Sequence, residues 1–326
     1  MSEYLSHYSV MLKECLDALE LGSKASGSLI LADLTFGAGG HTFALSDHLA
    51  GSTVYATDQD PDALKNGEEK IRQKDKVGQV ILLPMNFEEF PDWCEKNQMQ
   101  GKLAGILMDL GVSSHQFDKM ERGFSFRADA PLDMRMNYGD PAIPTAADLL
   151  NDLPEKEIAD LIFNYGEERL SRRIAARICE LRQKKKIETT AEIEDICFHA
   201  YPPKDRHNKT HPATRTFQAL RIAVNRELQV LEHTLPKLLP YLAPGGVLAV
   251  ISFHSLEDRI VKHTFKEIVE KRDFPATILT KKPLTATEEE LSQNSRSRSA
   301  KLRLLQRDTQ LGRVDGTKKK RRDIQV

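Results

Sequence analysis

Asp33–His41, DLTFGAGGH, follows directly on the apolar run Ser28–Ala32, SLILA. An apolar strand that breaks into three closely spaced glycines and then a helical pattern predicts a ligand-cradling turn. Gly37, Gly39 and Gly40 supply positive φ and leave bare backbone for a ligand to lie against. The helix expected from about His41 to Leu49 aims its free N–H groups at the same spot. A glycine turn alone is often only a tight corner. Asp58 strengthens the reading, because it ends the next apolar strand, Thr53–Thr57 (TVYAT). An acidic residue roughly 20 positions after the glycines is placed to accept hydrogen bonds from ribose hydroxyls. The expected ligand is a nucleoside.

Outward from this stretch, strand and helix alternate. A helical pattern on Val10, Leu12, Cys15, Leu16 and Leu19 ends at Gly22. Strands are then expected at 29–34, 53–58, 79–85 and 103–109, with helices at 41–50, 61–73 and 87–97 between them. That order implies a parallel, doubly wound sheet with right-handed crossovers. Ligands of such sheets bind beyond the carboxyl ends of the strands, where the glycine turn, Asp58, Asn86-Phe87 and Asp109 converge. From about Gln116 to Pro212 no buried strand is expected, only helical patterns at 145–165, 168–184 and 189–200. A long helix from about Ala213 to Leu242 leads to Pro244-Gly245-Gly246 and a fifth parallel strand, Val247–Phe253 (VLAVISF), with Leu256–Glu270 as its crossover helix. Two last strands, Ala276–Thr280 and Ala300–Gln306, have no helix between them and are expected to pair antiparallel at the sheet edge. The fold class is therefore α/β, a Rossmann-like sheet of the class I methyltransferase type with an inserted all-helical domain. The domains read as core residues 1–116, a helical insertion at 117–212, core residues 213–310, and a basic, disordered tail at 311–326.

The 326 residues are 40% hydrophobic, enough for one large domain or two smaller ones. No run of apolar residues is long enough for a membrane span, and the N-terminus lacks a signal-peptide pattern. Cys15, Cys94, Cys179 and Cys197 are scattered without a CxxC pair, as expected of reduced packing cysteines in a cytoplasmic protein. No histidine spacing suggests a metal site, and none is expected. Net charge is −1, yet Arg296–Arg322 carries eleven Lys and Arg against two Asp, and Arg169–Lys186 carries eight against one Glu. Such runs are usually solvated faces. Two of them in a chain of neutral total charge suggest a polarised surface that neutralises phosphates.

The residues also narrow the chemistry. Counted from Gly37, the sixth position of a GxGxxG pattern is Thr42, which weakens a nicotinamide reading, since the third glycine permits close helix–strand packing. Asp33 and Asp58 better suit S-adenosylmethionine, which has an amino acid, a sulfonium and a ribose but no pyrophosphate. A methyl group would meet its acceptor at the end of the fourth strand, Asp109–Ser114 (DLGVSS). An exocyclic base amine is a poor nucleophile, and acceptors around its hydrogens localise the lone pair and aim it; Asp109 either does this or holds the cofactor. Pro131–Met136 (PLDMRM), His211–Asn225 (HPATRTFQALRIAVN) and Ser252–Asp258 (SFHSLED) concentrate polar residues that packing does not demand. In the second of these, Phe217, Leu220, Val224 and Leu228 form a buried stripe, with Arg215, Arg221 and Arg226 off it. His254 and Ser255 follow the fifth strand beside the crevice.

DLTFGAGGH, ATDQDP, ILMDLGVSS, ERGFSF, PLDMRM, YGEER, HPATRTFQALRI, VISFHSLEDRIVK and SRSRSAKLR together resemble the MraW/RsmH family, from residue 7 to about residue 304. These are bacterial S-adenosylmethionine-dependent methyltransferases of small-subunit ribosomal RNA. The resemblance implies methylation of the exocyclic N4 amine of a cytosine in the decoding region of 16S rRNA, near the P site. It implies cofactor contacts from Gly39, Gly40, His41, Asp58, Phe87, Asp109 and Gln116. Asp109 is also the catalytic candidate, and Arg135, His211, Arg215, Asn225, His254 and Ser255 are candidates for substrate binding. The family usually has proline before that glutamine, where this chain has His115. Unlike amino-methyltransferases with an Asp/Asn-Pro-Pro-aromatic motif, this chain has DLGV. The rival readings are an RNA-binding ribosome-assembly factor without catalysis, a nicotinamide oxidoreductase and a DNA methyltransferase.

Overall fold

The structure is a computed structural model and describes residues 9–271 and 275–309. The basic tail expected at 311–326 lies outside the described residues. In chain order the elements are α1 (Leu12–Ser26), β1 (Ile30–Asp33), α2 (Gly40–His48), β2 (Thr53–Asp58), α3 (Pro61–Gln73), β3 (Val80–Pro84), α4 (Phe90–Lys96) and β4 (Leu103–Asp109). Then come α5 (Ser114–Asp118), α6 (Ala146–Asp152), α7 (Glu155–Gly166), α8 (Ser171–Arg182), α9 (Thr190–Ala200), α10 (Thr214–Asn225) and α11 (Glu227–Thr234). The chain ends with β5 (Leu242–Ser252), α12 (Ser255–Lys271), β6 (Ala276–Ile278), α13 (Glu288–Gln293) and β7 (Lys301–Arg307). No helix among the described residues is long and apolar enough to cross a membrane.

Two compact units divide the chain. The first joins residues up to Gly111 to those from Val230 onward. Its seven-stranded sheet has the order β3-β2-β1-β4-β5-β7-β6, the class I methyltransferase arrangement. β1 to β5 are parallel, while β7 runs antiparallel to both β5 and β6. Strands buried on both faces lose the in–out polarity of an exposed sheet and read as continuous apolar runs. Alternate residues of β5 show this: Val247, Ala249 and Ile251 pack with Cys15, Ala18 and Leu19 of α1. Leu248 and Val250 pack with Phe90 and Cys94 of α4 and Phe265 of α12. The strand order reverses between β1 and β4, the switch point at which doubly wound sheets open a crevice.

The second unit, Val112–Gln229, is helical. Its core gathers Ile158, Ile162, Ile174, Ile178, Ile193, Phe217, Leu220 and Val224, with Leu132 and Met134 of the PLDMRM loop. The stripe on α10 belongs to this core, so the helical unit runs past residue 212, where the sequence pattern placed the return to the sheet.

Other differences have local causes. α1 continues past Gly22 to Ser26 and is capped by Gly27 at φ 71°. The helix expected at 145–165 is two, because Pro154 caps the start of α7. The expected long helix from Ala213 breaks at Arg226, φ 52°, and its last part is a 3-10 turn over Leu235–Tyr241. β5 begins five residues before Val247, since Leu242 already pairs with Leu103.

Candidate functional site

Asp33 ends β1 almost fully buried. Its Oδ1 accepts from the Thr35 amide (3.1 Å) and hydroxyl (3.3 Å), and its Oδ2 accepts from the Thr42 hydroxyl (2.6 Å). The Thr35 hydroxyl in turn accepts from the Asp109 N–H at 2.7 Å, so one carboxylate ties the ends of β1 and β4 to the first turn of α2. Thr42 is thus the donor that Asp33 requires, at the position a dinucleotide turn leaves to glycine. Gly37 and Gly39 have φ 53° and 80°. A Cβ on Gly39 would stand 2.6 Å from the Phe43 ring and 2.8 Å from that of Phe36, and one on Gly40 would meet the Ser9 hydroxyl. Lys70 of α3 donates to the Ala38 carbonyl at 3.0 Å and holds the turn from below.

Asp58, half-buried at the end of β2, accepts from the Gly37 N–H (2.7 Å) and the Asp60 N–H (2.8 Å). Burial raises its pKa to about 6 against the pull of those two bonds. Asn86 caps the 3-10 turn that starts at Phe87 and donates to the Gln59 side chain at 3.0 Å, which links the ends of β2 and β3. Asp109 is also near pKa 6: burial raises it, nearby His41 opposes that, and Asp33 and Glu257 add to it. Its Oδ2 lies 3.6 Å from His41 Nδ1, while its Oδ1 is buried without a hydrogen-bond partner. Past β5, the Glu257 carboxylate accepts from the Phe253 N–H (2.8 Å) and the His254 N–H (3.3 Å) and so starts α12. His254 Nδ1 accepts from the Glu257 N–H, and its Nε2 stands 3.1 Å from the Glu257 carboxylate without hydrogen-bond alignment. Ser255 is the first residue of α12.

The crevice therefore collects carboxylates. Among the described residues no Lys or Arg ion-pairs with Asp33, Asp58 or Asp109. A crevice with that set of acceptors favours a cationic ligand carrying hydroxyls, and disfavours a pyrophosphate. The orphaned Oδ1 points the same way, since buried polar atoms are nearly always satisfied.

In the helical unit Gln116 is buried in a capping box with Ser113, accepting from the Ser113 N–H (3.0 Å) and donating its own N–H to the Ser113 hydroxyl (3.2 Å). Arg135 spends its guanidinium on both Asp133 oxygens (2.9 and 2.7 Å) and on the Asp140 carbonyl. Asn225 donates to the Met134 and Arg221 carbonyls and accepts from the Met136 N–H. Both residues thereby fasten the PLDMRM loop. Arg221 pairs bidentately with Glu227. His211 stacks on Phe126 with ring centroids 4.8 Å apart and lies 3.2 Å from Glu194. Arg215 donates to the Glu167 carbonyl and is otherwise exposed.

Two residues escaped sequence reasoning. Arg122 of ERGFSF is fully buried, donates to the Arg135 and Met136 carbonyls, and lies over the Tyr138 ring. Glu257 of SFHSLED is nearly fully buried, although a Glu three places after His254, the residue before α12, carried the signal of a helix cap. The basic runs also divide. Arg303 and Lys301 bind Asp258 (2.7 and 3.2 Å), and Arg182 caps α6 through the Leu150 and Leu153 carbonyls. Arg169, Arg172 and Arg173 are exposed. The last two sit in the first turn of α8, which has no acidic residue to offset them.

Residues 4–308 match the MraW methylase family model. A protein of Heliobacterium mobile called ribosomal RNA small subunit methyltransferase H is 46% identical, over 92% of this chain and 98% of its own. One of the same name from Picosynechococcus is 46% identical over 93% and 97%. Among solved structures, an rRNA methylase from Streptococcus thermophilus superposes at TM-score 0.41 and 12% identity, covering 93% of this chain and 99% of that one. That structural likeness is too loose to bear on function.

Proposed function

This chain is a member of the MraW methylase family, and on that footing we propose that it methylates the exocyclic N4 amine of a cytosine in 16S rRNA, in the decoding region at the P site of the small ribosomal subunit, with S-adenosylmethionine as donor. The relatives' names support small-subunit rRNA as the substrate. The observation that carries the reading is the crevice: Asp58 and an Asp109 with an orphaned oxygen end the two strands that flank β1, and among the described residues neither has a Lys or Arg counter-ion.

Gly39 and Gly40 would admit the cofactor against bare backbone, with Phe87 completing its contacts, whereas the His41 ring is held by the protein itself. Asp58 keeps acceptor capacity for two ribose hydroxyls after its two amide bonds. Bound S-adenosylmethionine supplies an electrophilic methyl group on a cationic sulfur. The Asp109 carboxylate would accept a hydrogen bond from the cytosine amine, which localises its lone pair and aims it; as the N–CH3 bond forms and the S–CH3 bond breaks, S-adenosylhomocysteine departs and the amine loses one proton. Rate enhancement then comes from positioning and electrostatics. The cytosine must leave its stack, since an amine inside a helix cannot reach the methyl group. The helical unit would recognise the RNA, through its exposed arginines and the loop that Arg135 and Asn225 fasten. His211, Arg215, His254 and Ser255 are the remaining substrate candidates.

The test is methyl transfer from labelled S-adenosylmethionine to intact small subunits, naked 16S rRNA and DNA, followed by nucleoside mass spectrometry. N4-methylcytosine confined to the small subunit or its rRNA is the expected product. Cofactor binding without transfer to any of the three would leave an RNA-binding assembly factor.

A further inference from the structure

His41 was expected to touch the cofactor, but its ring is buried and committed on both sides. Nε2 lies 3.0 Å from the Val10 carbonyl, and a carbonyl only accepts, so Nε2 carries a hydrogen. In a neutral ring the other nitrogen, Nδ1, is then a bare acceptor. It faces Asp109 Oδ2 at 3.6 Å. Two acceptors cannot bond each other, so this contact is favourable only when a proton is present, on Nδ1 or on the carboxyl.

Resting on the cofactor reading above, we propose that His41 is a positioning residue that shares one proton with Asp109, and that this proton leaves to solvent when the cationic cofactor binds. The surroundings favour retention of the proton in the free protein. Asp33 of β1 and Glu257 of α12 act on Asp109 as like charges, and Cys15 of α1 is a buried thiol that stays protonated. Glu290 of α13 accepts from the Met11 N–H, one residue beyond the carbonyl that His41 holds. A sulfonium entering this group replaces the proton as the positive charge that the carboxylates require. His41 thereby holds the plane of the Asp109 carboxylate fixed for the substrate amine.

Cofactor binding is measured by calorimetry from pH 5 to 8 in buffers of different ionisation enthalpy. Wild-type protein is expected to release up to about two protons per S-adenosylmethionine near pH 6, one from Asp58 and one from the His41–Asp109 pair, and almost none at pH 8. The Kd should rise by up to about a hundredfold per pH unit below 6. S-adenosylhomocysteine, which lacks the sulfonium charge, should release less. His41→Gln removes the charge that opposes proton uptake on Asp109, so its release window should move to higher pH. Binding with no proton release, or an unmoved window in His41→Gln, overturns the inference. Two measurements on the free wild-type protein need neither binding nor a variant. Histidine ¹⁵N spectra should show His41 protonated at Nε2 throughout, and the Asp109 carboxyl carbon should titrate near pH 6. A ring protonated at Nδ1 and bare at Nε2 overturns the proposal outright. Failure of S-adenosylmethionine to bind at any pH would instead refute the cofactor reading, and the spectra would still decide the shared proton.

Discussion

Thr42 and Asp33 form one of the buried polar contacts on which the glycine turn depends, at 2.6 Å. Thr42→Val keeps the shape and removes the donor, leaving a buried carboxylate oxygen short of a bond. Stability should fall by about 1–3 kcal/mol by chemical denaturation, with weaker S-adenosylmethionine binding. Asp109 should behave in the opposite way. Its folded pKa of about 6 lies above the unfolded value, so the native state holds the proton more tightly. Stability from this group is therefore fully present below about pH 4 and lost as pH rises through 6. Asp109→Asn should then be more stable than wild type at pH 7.5, by on the order of 1–3 kcal/mol, with no gain at pH 4, while turnover disappears. Equal stability of the two proteins across that range would show that Asp109 carries no burial strain. That Asp33, Asp58 and Asp109 end parallel strands on the same edge of the sheet was legible from residue type and position after apolar runs. That Asp33 is consumed internally while Asp109 keeps a free oxygen was not, because the partners lie on other elements.

At the level of elements, Gly22 marks where local reasoning failed for a physical reason. A glycine after an apolar helical pattern reads as a stop, yet α1 continues through it. The glycine is there because α1 presses on the sheet: a Cβ would stand 2.3 Å from the Ala104 carbonyl oxygen and 3.0 Å from the Val247 amide. Gly22→Ala should cost roughly 1–3 kcal/mol in denaturant melts, as overpacking against backbone that cannot yield. An exposed helical glycine would instead gain from the same change, since alanine is the better helix former by about 1 kcal/mol. Strand order along the chain was legible, because runs buried on both faces need no partner to be recognised. The breaks at Pro154 and Arg226 were not: in one, proline starts a new helix, and in the other a non-glycine residue takes a left-handed backbone that propensity does not announce.

For the molecule as a whole, the question is how a chain of net charge −1 would hold RNA. Part of the basic count is structural, in Lys301, Arg303 and Arg182. Arg172 and Arg173 are different. Cations in the first turn of a helix are disfavoured by its dipole, so folding does not account for them. Arg172→Glu together with Arg173→Glu should weaken 16S rRNA binding and flatten the dependence of log K on log salt by about 1 to 2, with cofactor affinity unchanged. An identical salt slope would remove α8 from the RNA surface.

Residue order alone was enough to specify the alternating parallel sheet, the helical stretch between its strands and the strand ends that carry Asp33, Asp58 and Asp109. Each rests on short-range information: apolar runs, helical periodicity, and glycine or aspartate immediately after a strand. The family resemblance was equally readable, since it lies in contiguous motifs. Tertiary structure alone decided which polar atoms are already spent. Thr42 answers Asp33, Asn225 answers the PLDMRM loop and Asp258 answers Arg303, leaving the second Asp109 oxygen without a partner. Hydrogen-bond capacity is finite and is shared among residues 9 to 91 positions apart in these pairings. Only the folded chain shows what remains for a ligand.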